Sequence, residues 1–173
     1  MRIIAGRWRG RTLAAPAGEA TRPTADRARE ALFSMLLSRL GSFEELRVAD
    51  IFAGTGALGL EALSRGAARC TFVERDPTAL TALRGNIAKL GADGADVRAQ
   101  AAESFSGGPY DLVFMDPPYG SGLGQKVLPR LSLETGAWVS IETGAIEPVD
   151  VSGFHIETER RHGKAKLTLL KRI

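Results

Sequence analysis

Three short stretches of this sequence hold residue types that can do chemistry. Residues 116–119 read DPPY directly after the apolar run YDLVFM, residues 50–59 read DIFAGTGALG, and Glu74 closes the run RCTFVE. In DPPY both prolines have a fixed φ and no N–H, so the turn is stiff and its carbonyls stay out of any sheet. Asp116 adds a carboxylate. Carbonyl and carboxylate together suit a donor group with two hydrogens, such as the exocyclic amine of a nucleobase, and Tyr119 supplies a ring on which that base can stack. Gly54, Gly56 and Gly59 match GxGxxG, a loop that lets a ligand approach the backbone before a tight turn into a helix. A nicotinamide dinucleotide uses such a loop by setting its pyrophosphate on the helix N-terminus. Asp50 argues against that use, because a carboxylate aimed into the loop repels a diphosphate and attracts a cation. Glu74 can accept two hydrogen bonds from a ribose diol, which suits NAD and S-adenosylmethionine equally. Two of these also have a plainer reading: a strand-ending turn for DPPY, a solvated acid for Glu74.

These residues need elements that bring them together, and the pattern supplies them. RIIAG and RTLAA, separated by Arg, Trp and Gly, predict a hairpin with arginines near its turn. TRPTADRAREALFSMLLSRLG predicts an amphipathic helix with Thr24 as N-cap, Asp26 in its first turn, and Ala28, Ala31, Leu32, Met35 and Leu36 on its apolar face. Strand and helix then alternate: LRVADIFAG, ALGLEALSRG, ARCTFVERD, PTALTALRGNIAKLG, ADVRAQ, YDLVFMD, GLGQKVLPRLS and GAWVSIET. Asp76 as N-cap, Pro77 at the first helical position and Gly91 past the end show the expected asymmetry of helix signals. Alternation of this kind implies right-handed crossovers and a parallel sheet covered on both faces. GFHIETER and KAKLTLLKR, joined by RHGK, add a terminal antiparallel hairpin. Ligands of such sheets collect at the carboxyl ends of the strands, where all three stretches fall.

Length and composition bound the answer. A chain of 173 residues, 44% of them hydrophobic, suffices for one domain with a core and is short for two. No apolar stretch reaches membrane-spanning length, and MRIIAGRWRG lacks the apolar segment of a signal peptide, so a cytoplasmic protein without membrane contact is expected. The single cysteine, Cys70, excludes an intramolecular disulfide and reads as a small buried hydrophobe. His155 and His162 have no Cys or His cluster around them, so no metal site is expected. The net charge of +3 is unevenly spread: residues 1–30 hold seven Lys/Arg against three acids, residues 160–173 six against none, and the middle ten against seventeen. Basic ends on an acidic body suit either plain solvation or contact with a polyanion.

With these residues in view, the chain resembles the RsmD family of 16S ribosomal RNA guanine-N2 methyltransferases. The resemblance runs nearly the full length and is carried by MRIIAGRWRGRTL, RPTADRAREALF, DIFAGTGALGLEALSRGA, FVERD, DLVFMDPPYG and RRHGKAKLTLL. It implies a Rossmann-like α/β methyltransferase fold with a seven-stranded sheet, S-adenosylmethionine as donor, and 16S rRNA, either free or within an assembling small subunit, as acceptor. In that picture Asp50, Phe52, Ala53, Gly54, Gly56 and Gly59 cradle the donor's methionine part, Glu74 holds its ribose, and Arg75 also contacts the donor. Ala102 borders its adenine, and Asp116, Pro117, Pro118 and Tyr119 grip the guanine. The chain departs from the family pattern at Ala101, where an acid or amide is usual, which leaves the adenine to backbone groups or Gln100. It departs again at His162, where Tyr is usual.

Arg7, Arg9, Arg11, Arg22, Thr24 and Arg27 are the candidates for RNA contact, with Lys164 and Lys166 behind them. Trp8 is expected to cover the core edge rather than stack on a base, and Trp138 to be core. The chain is expected to act as a monomeric single domain, with residues 1–41 as an RNA-binding extension and 42–173 as the catalytic core. Two other readings compete: an adenine-N6 or cytosine-N4 methyltransferase, which shares every motif but the terminal segments, and a nicotinamide oxidoreductase or non-catalytic cofactor module, which leaves DPPY unexplained.

Overall fold

The computed structural model describes residues 1–16 and 23–173, positions 23 and 24 from the backbone alone. Helix α1 (Pro23–Leu40) precedes β1 (Arg47–Ile51), α2 (Ala57–Ser64), β2 (Arg69–Glu74), α3 (Pro77–Leu90) and β3 (Ala95–Ala99). Then come β4 (Gly107–Met115), α4 (Leu123–Val127), β5 (Leu131–Gly144), β6 (Phe154–His162) and β7 (Ala165–Arg172). The strands form one sheet in the order β3-β2-β1-β4-β5-β7-β6. The first five run parallel, and β7 pairs antiparallel with both β5 and β6. This is the Rossmann-like sheet that the alternation and the family resemblance lead one to expect.

Period-two alternation builds the two cores. In β1, Val48 faces one side and Ala49 and Ile51 the other; in β4, Leu112 and Phe114 oppose Val113 and Met115. One face packs under α1, α2, α3 and the N-terminal segment, with Phe33, Phe72, Phe114 and Trp138 at its centre. The other face is closed by α4 and short 3-10 turns, through Ala102, Val127 and Leu128. Cys70 is fully buried. Asp76 caps α3 by accepting from Ala79 N–H at 2.8 Å, Pro77 follows it, and Gly91 ends the helix at φ +63.

Two local expectations are corrected. The buried face of α1 is Arg29, Leu32, Phe33 and Leu36, while Ala28 and Ala31 are exposed. The face is rotated because Arg29 is drawn inward by the buried carboxylate of Glu61, 3.7 Å from its Nε. The helix also begins at Pro23, which puts Thr24 inside its first turn. The predicted N-terminal hairpin is reduced to a single bridge between Arg2 and Thr12. Ile3 donates to Arg11 O and Leu13 to Met1 O, but Ile4 and Ala5 donate to Glu61 at 2.8 and 3.1 Å, and Trp8 to Ser64 Oγ at 3.0 Å. The two arms thus keep part of their mutual bonding, and the amides of Ile4, Ala5, Arg7 and Trp8 go to α2.

Because β1 is flanked by β2 on one side and β4 on the other, the crossovers leave it in opposite directions, and a crevice opens at the carboxyl ends of these strands.

Candidate active site

The crevice is built at the ends of β1, β2 and β4. As β1 ends, Phe52 takes a φ of +64, a region that bulky side chains seldom enter. The turn is held by Ala53 N–H to Val73 O at 3.0 Å and Gly56 N–H to Ala53 O at 2.9 Å. Strain of this sort concentrates where a loop must face a ligand. Of the three glycines, Gly54 has open space where a Cβ would stand, so it is the one that leaves room in the crevice. A Cβ on Gly59 would lie 2.4 Å from the ring of Phe72, and one on Gly56 2.5 Å from Leu83, so these two let α2 settle on β2 and α3.

Two adjoining cavities fill the crevice and share Phe52, Asp76 and Asp116. The larger, about 620 Å³, is bounded by Glu74, Arg75, Gln100, Ala102, Glu103 and the DPPY turn. The smaller, about 410 Å³, is bounded by Asp50, Ala53, Gly54 and Thr55, with Met1 and Pro16 reaching in from the N-terminal segment. Together they offer the room that a nucleoside with a charged tail requires. Ala101 borders neither cavity, and Glu103, two residues on, puts a carboxyl group beside the larger one.

Asp50, Glu74, Asp76, Glu103 and Asp116 all border this space, and the surroundings of Asp50, Asp116 and Glu74 indicate what would fit. Asp50 is buried, accepts from Gly59 N–H at 2.9 Å, and is pushed up to about 8 by loss of hydration, with Asp116 and Glu74 adding repulsion. Asp116 is open to solvent from the crevice, yet the protein around it strips enough hydration to raise it to about 7, and Glu142 beside it raises it further. A cation relieves both groups, whereas a diphosphate aggravates both. Asp50 has also taken the amide of Gly59, one of the α2 groups that a pyrophosphate would need. The residues present therefore fit a sulfonium nucleoside and oppose a dinucleotide. Glu74 accepts from Gly54 at 2.8 Å and from Arg75 and Asp76 at 2.9 Å each, so it braces the glycine loop and keeps part of its capacity for a ligand.

The DPPY turn is anchored from β5. Tyr119, half exposed, donates its hydroxyl to Glu142 Oε1 at 3.1 Å. Glu147 accepts from Gly120 N–H at 2.9 Å and Gly144 N–H at 2.8 Å, bonds that hold its carboxyl below the usual range. Buried Lys166 donates to Glu147 O at 2.7 Å, which makes it a structural lysine. Glu142 and Glu147 were not singled out from sequence. Glu142 had a signal: like Asp116 and Glu74, it is an acid at the carboxyl end of a predicted strand.

Among the described residues, Arg7 and Arg11 lie away from the crevice. Arg7 N–H donates to Ser64 O at 2.9 Å, at the far end of α2, and Arg7 lies over the ring of buried Trp8, 4.2 Å from its centroid. Arg11 donates to Lys89 O at 2.9 Å, at the far end of α3. Eight helical residues separate that end of α2 from the glycine loop, about 12 Å at ~1.5 Å per residue. Arg9 and Arg27 are exposed. Arg22 and the side chain of Thr24 lie outside the described residues. Among the described residues no cluster of His, Cys, Asp and Glu suits a metal, and no helix is long and apolar enough to cross a membrane.

Comparison with known proteins agrees with this geometry. The family model "Conserved hypothetical protein 95" matches residues 1–171. The ribosomal RNA small subunit methyltransferase D of Escherichia coli K12 is 43% identical over 145 residues, covering 82% of this chain and 71% of its own. Its namesake from Haemophilus influenzae is 38% identical over 160 residues, covering 86% and 81%. Among solved structures, the "Putative methyltransferase yhhF" of Escherichia coli superposes with a TM-score of 0.87 at 36% identity, covering 99% of this chain and 97% of that one.

Proposed function

The chain belongs to the RsmD family of methyltransferases, and from that premise we propose that it transfers a methyl group from S-adenosylmethionine to the exocyclic N2 of a guanine in 16S ribosomal RNA. The observation that carries this reading is the position of Asp116. It stands on the wall common to both cavities, at the end of β4 and beside the loop that follows β1. An acceptor amine held there faces the space in which the donor fits.

When bound, S-adenosylmethionine supplies an electrophilic methyl group on a sulfonium whose thioether leaves without acid assistance. Asp50 and the glycine loop would hold its methionine part, Glu74 its ribose, and the stretch from Gln100 to Glu103 its adenine. An aromatic amine is a poor nucleophile because its lone pair is delocalised into the ring. Hydrogen bonds from its two hydrogens to Asp116 and the Pro117 carbonyl favour the pyramidal nitrogen and stabilise the charge that develops on it. Tyr119 and Pro118 would keep the base in plane, so positioning supplies much of the rate. As the nitrogen–carbon bond forms and the carbon–sulfur bond breaks, a proton must leave the nitrogen, and a carboxylate titrating near 7 is suited to take it. A stacked base cannot reach this turn, so the target guanine is unpaired or flipped out.

In this reading residues 42–173 carry the chemistry of a monomeric cytoplasmic enzyme and residues 1–41 serve RNA contact. The test is incubation with methyl-labelled donor and unmodified small-subunit rRNA, free and assembled into particles, followed by mapping of the label. Label on the 2-amino group of one guanine is expected. Label on adenine or cytosine overturns the choice of base, and calorimetric preference for NAD over S-adenosylmethionine overturns the reaction.

A further inference from the structure

Asp116 and Pro117 account for an amino group without accounting for the base that carries it, because guanine, adenine and cytosine all present one. The bases differ at the neighbouring ring nitrogen. Guanine N1 bears a hydrogen, whereas adenine N1 and cytosine N3 bear a lone pair. A second carboxylate next to Asp116 would accept from the first and repel the other two.

Strand β5 supplies that carboxylate. Ile141 pairs in register with Met115, so Glu142 stands one step beyond, next to Asp116 on the adjoining parallel strand. It lies on the β5 side of Asp116, away from the ends of β1, β2 and β3, and lines neither cavity, while the DPPY turn between them borders the larger one. Tyr119 grips one of its oxygens at 3.1 Å and so fixes its direction. Among the described residues it forms no ion pair. Two half-enclosed carboxylates side by side without a cation oppose folding, and a fold keeps such a pair where a donor-rich ligand is to be met.

We propose that Glu142 is a base-reading residue that accepts the N1 hydrogen of the guanine whose 2-amino group rests on Asp116 and Pro117. The inference rests on the reading of the protein as a guanine-N2 methyltransferase and names how that site rejects other bases. Guanine then meets three acceptors with its three edge hydrogens, while adenine or cytosine turns a lone pair toward a carboxylate.

The test uses small-subunit rRNA carrying, at the mapped position, either guanine or 2-aminopurine, which keeps the 2-amino group, replaces the N1 hydrogen with a lone pair and lacks O6, a loss that is common to the wild type and the variants. The ratio of kcat/KM for the two substrates is measured for the wild type, Glu142→Gln and Tyr119→Phe. The wild type is expected to prefer guanine by about 10- to 100-fold. Glu142→Gln, whose amide can donate to a lone pair, should lose on guanine and gain on 2-aminopurine until the ratio approaches one. Tyr119→Phe, which keeps the carboxylate but frees its direction, should narrow the preference less than Glu142→Gln does, and a larger loss than in Glu142→Gln overturns the inference. An unchanged ratio in Glu142→Gln, even with both rates reduced, overturns the inference and leaves Glu142 as a tether for Tyr119. A wild type that does not discriminate overturns it without any variant. Failure of the underlying reading shows separately, as wild-type label on another base.

Discussion

Asp50 and Asp116 keep protons at neutral pH that ordinary carboxylates have lost, since burial carries the first to about 8 and the second to about 7 from a usual 3.8. An acid whose folded pKa exceeds its unfolded one binds a proton in the native state that the unfolded chain has released. Its folded state is therefore most favoured below the unfolded value and loses ground as pH rises toward the folded one. Unfolding free energy from urea titrations should accordingly fall between about pH 4 and about pH 8, and Asp50→Asn should flatten that fall. Catalysis runs the other way, because the accepting form of Asp116 is the carboxylate. With Glu142, Tyr119 and Asp50 around it, single-turnover rates should rise as pH passes through about 7. Asp116→Ala should lower kcat at least about a hundredfold while donor binding by calorimetry changes little. Equal loss of both would assign the residue to the donor instead.

Among the elements, α2 has two tasks, opening the crevice at one end and holding the N-terminal segment along its side. Glu61, fully buried in its middle, accepts from Ile4 and Ala5 and from Arg65 Nε at 2.9 Å, and it faces Arg29. Arg29 in turn donates to Arg2 O and to Asp26 at 3.2 Å. Removing the acid leaves Arg29 with Asp26 as its one carboxylate partner among the described residues and takes the acceptor from the Ile4 and Ala5 amides, so Glu61→Ala should destabilise by about 2–4 kcal/mol in chemical denaturation. It should also raise hydrogen exchange at Ile4 and Ala5. Two glycines separate packing from binding in the same region. Gly59→Ala forces a methyl group against Phe72 and Cys70 and should cost about 1–3 kcal/mol of stability. Gly54→Ala puts its methyl group into open space in the crevice but holds alanine at φ +57, so it should weaken donor binding and cost about 1 kcal/mol through left-handed backbone strain rather than through a packing clash.

Over the whole molecule the two basic ends have different fates. Arg7, Arg9 and Arg11 lie along the far ends of α2 and α3, so their proposed partners are phosphates flanking the target and not the target nucleotide itself. Reversing these charges should weaken RNA binding and flatten its salt dependence by about one log-log unit per lost contact, with activity on saturating RNA retained. An unchanged slope would leave the segment as scaffold. The basic tail is partly absorbed: Lys166 is buried on Glu147, Lys171 lies over Trp138, and Arg172 lies over Phe154, which leaves Arg160, Arg161 and Lys164 exposed around the β6–β7 turn.

By itself the amino-acid sequence determined what is local. Apolar alternation marked the strands, Asp76, Pro77 and Gly91 punctuated α3, and the acids of DIFAG, FVE and DPPY stood at strand ends, because propensity, capping and turn chemistry act over a few residues. Tertiary structure decided what joins distant positions: Glu142 beside Asp116, Met1 at the glycine loop, and Glu61 under Ile4, Ala5 and Arg29. Those contacts depend on strand order and register, and a run of residues around Glu142 or Arg29 reads the same whichever strand or helix becomes its neighbour. That is why the rotated face of α1 and the bridge left of the N-terminal hairpin appear only once a carboxylate buried in α2 has competed for their hydrogen bonds.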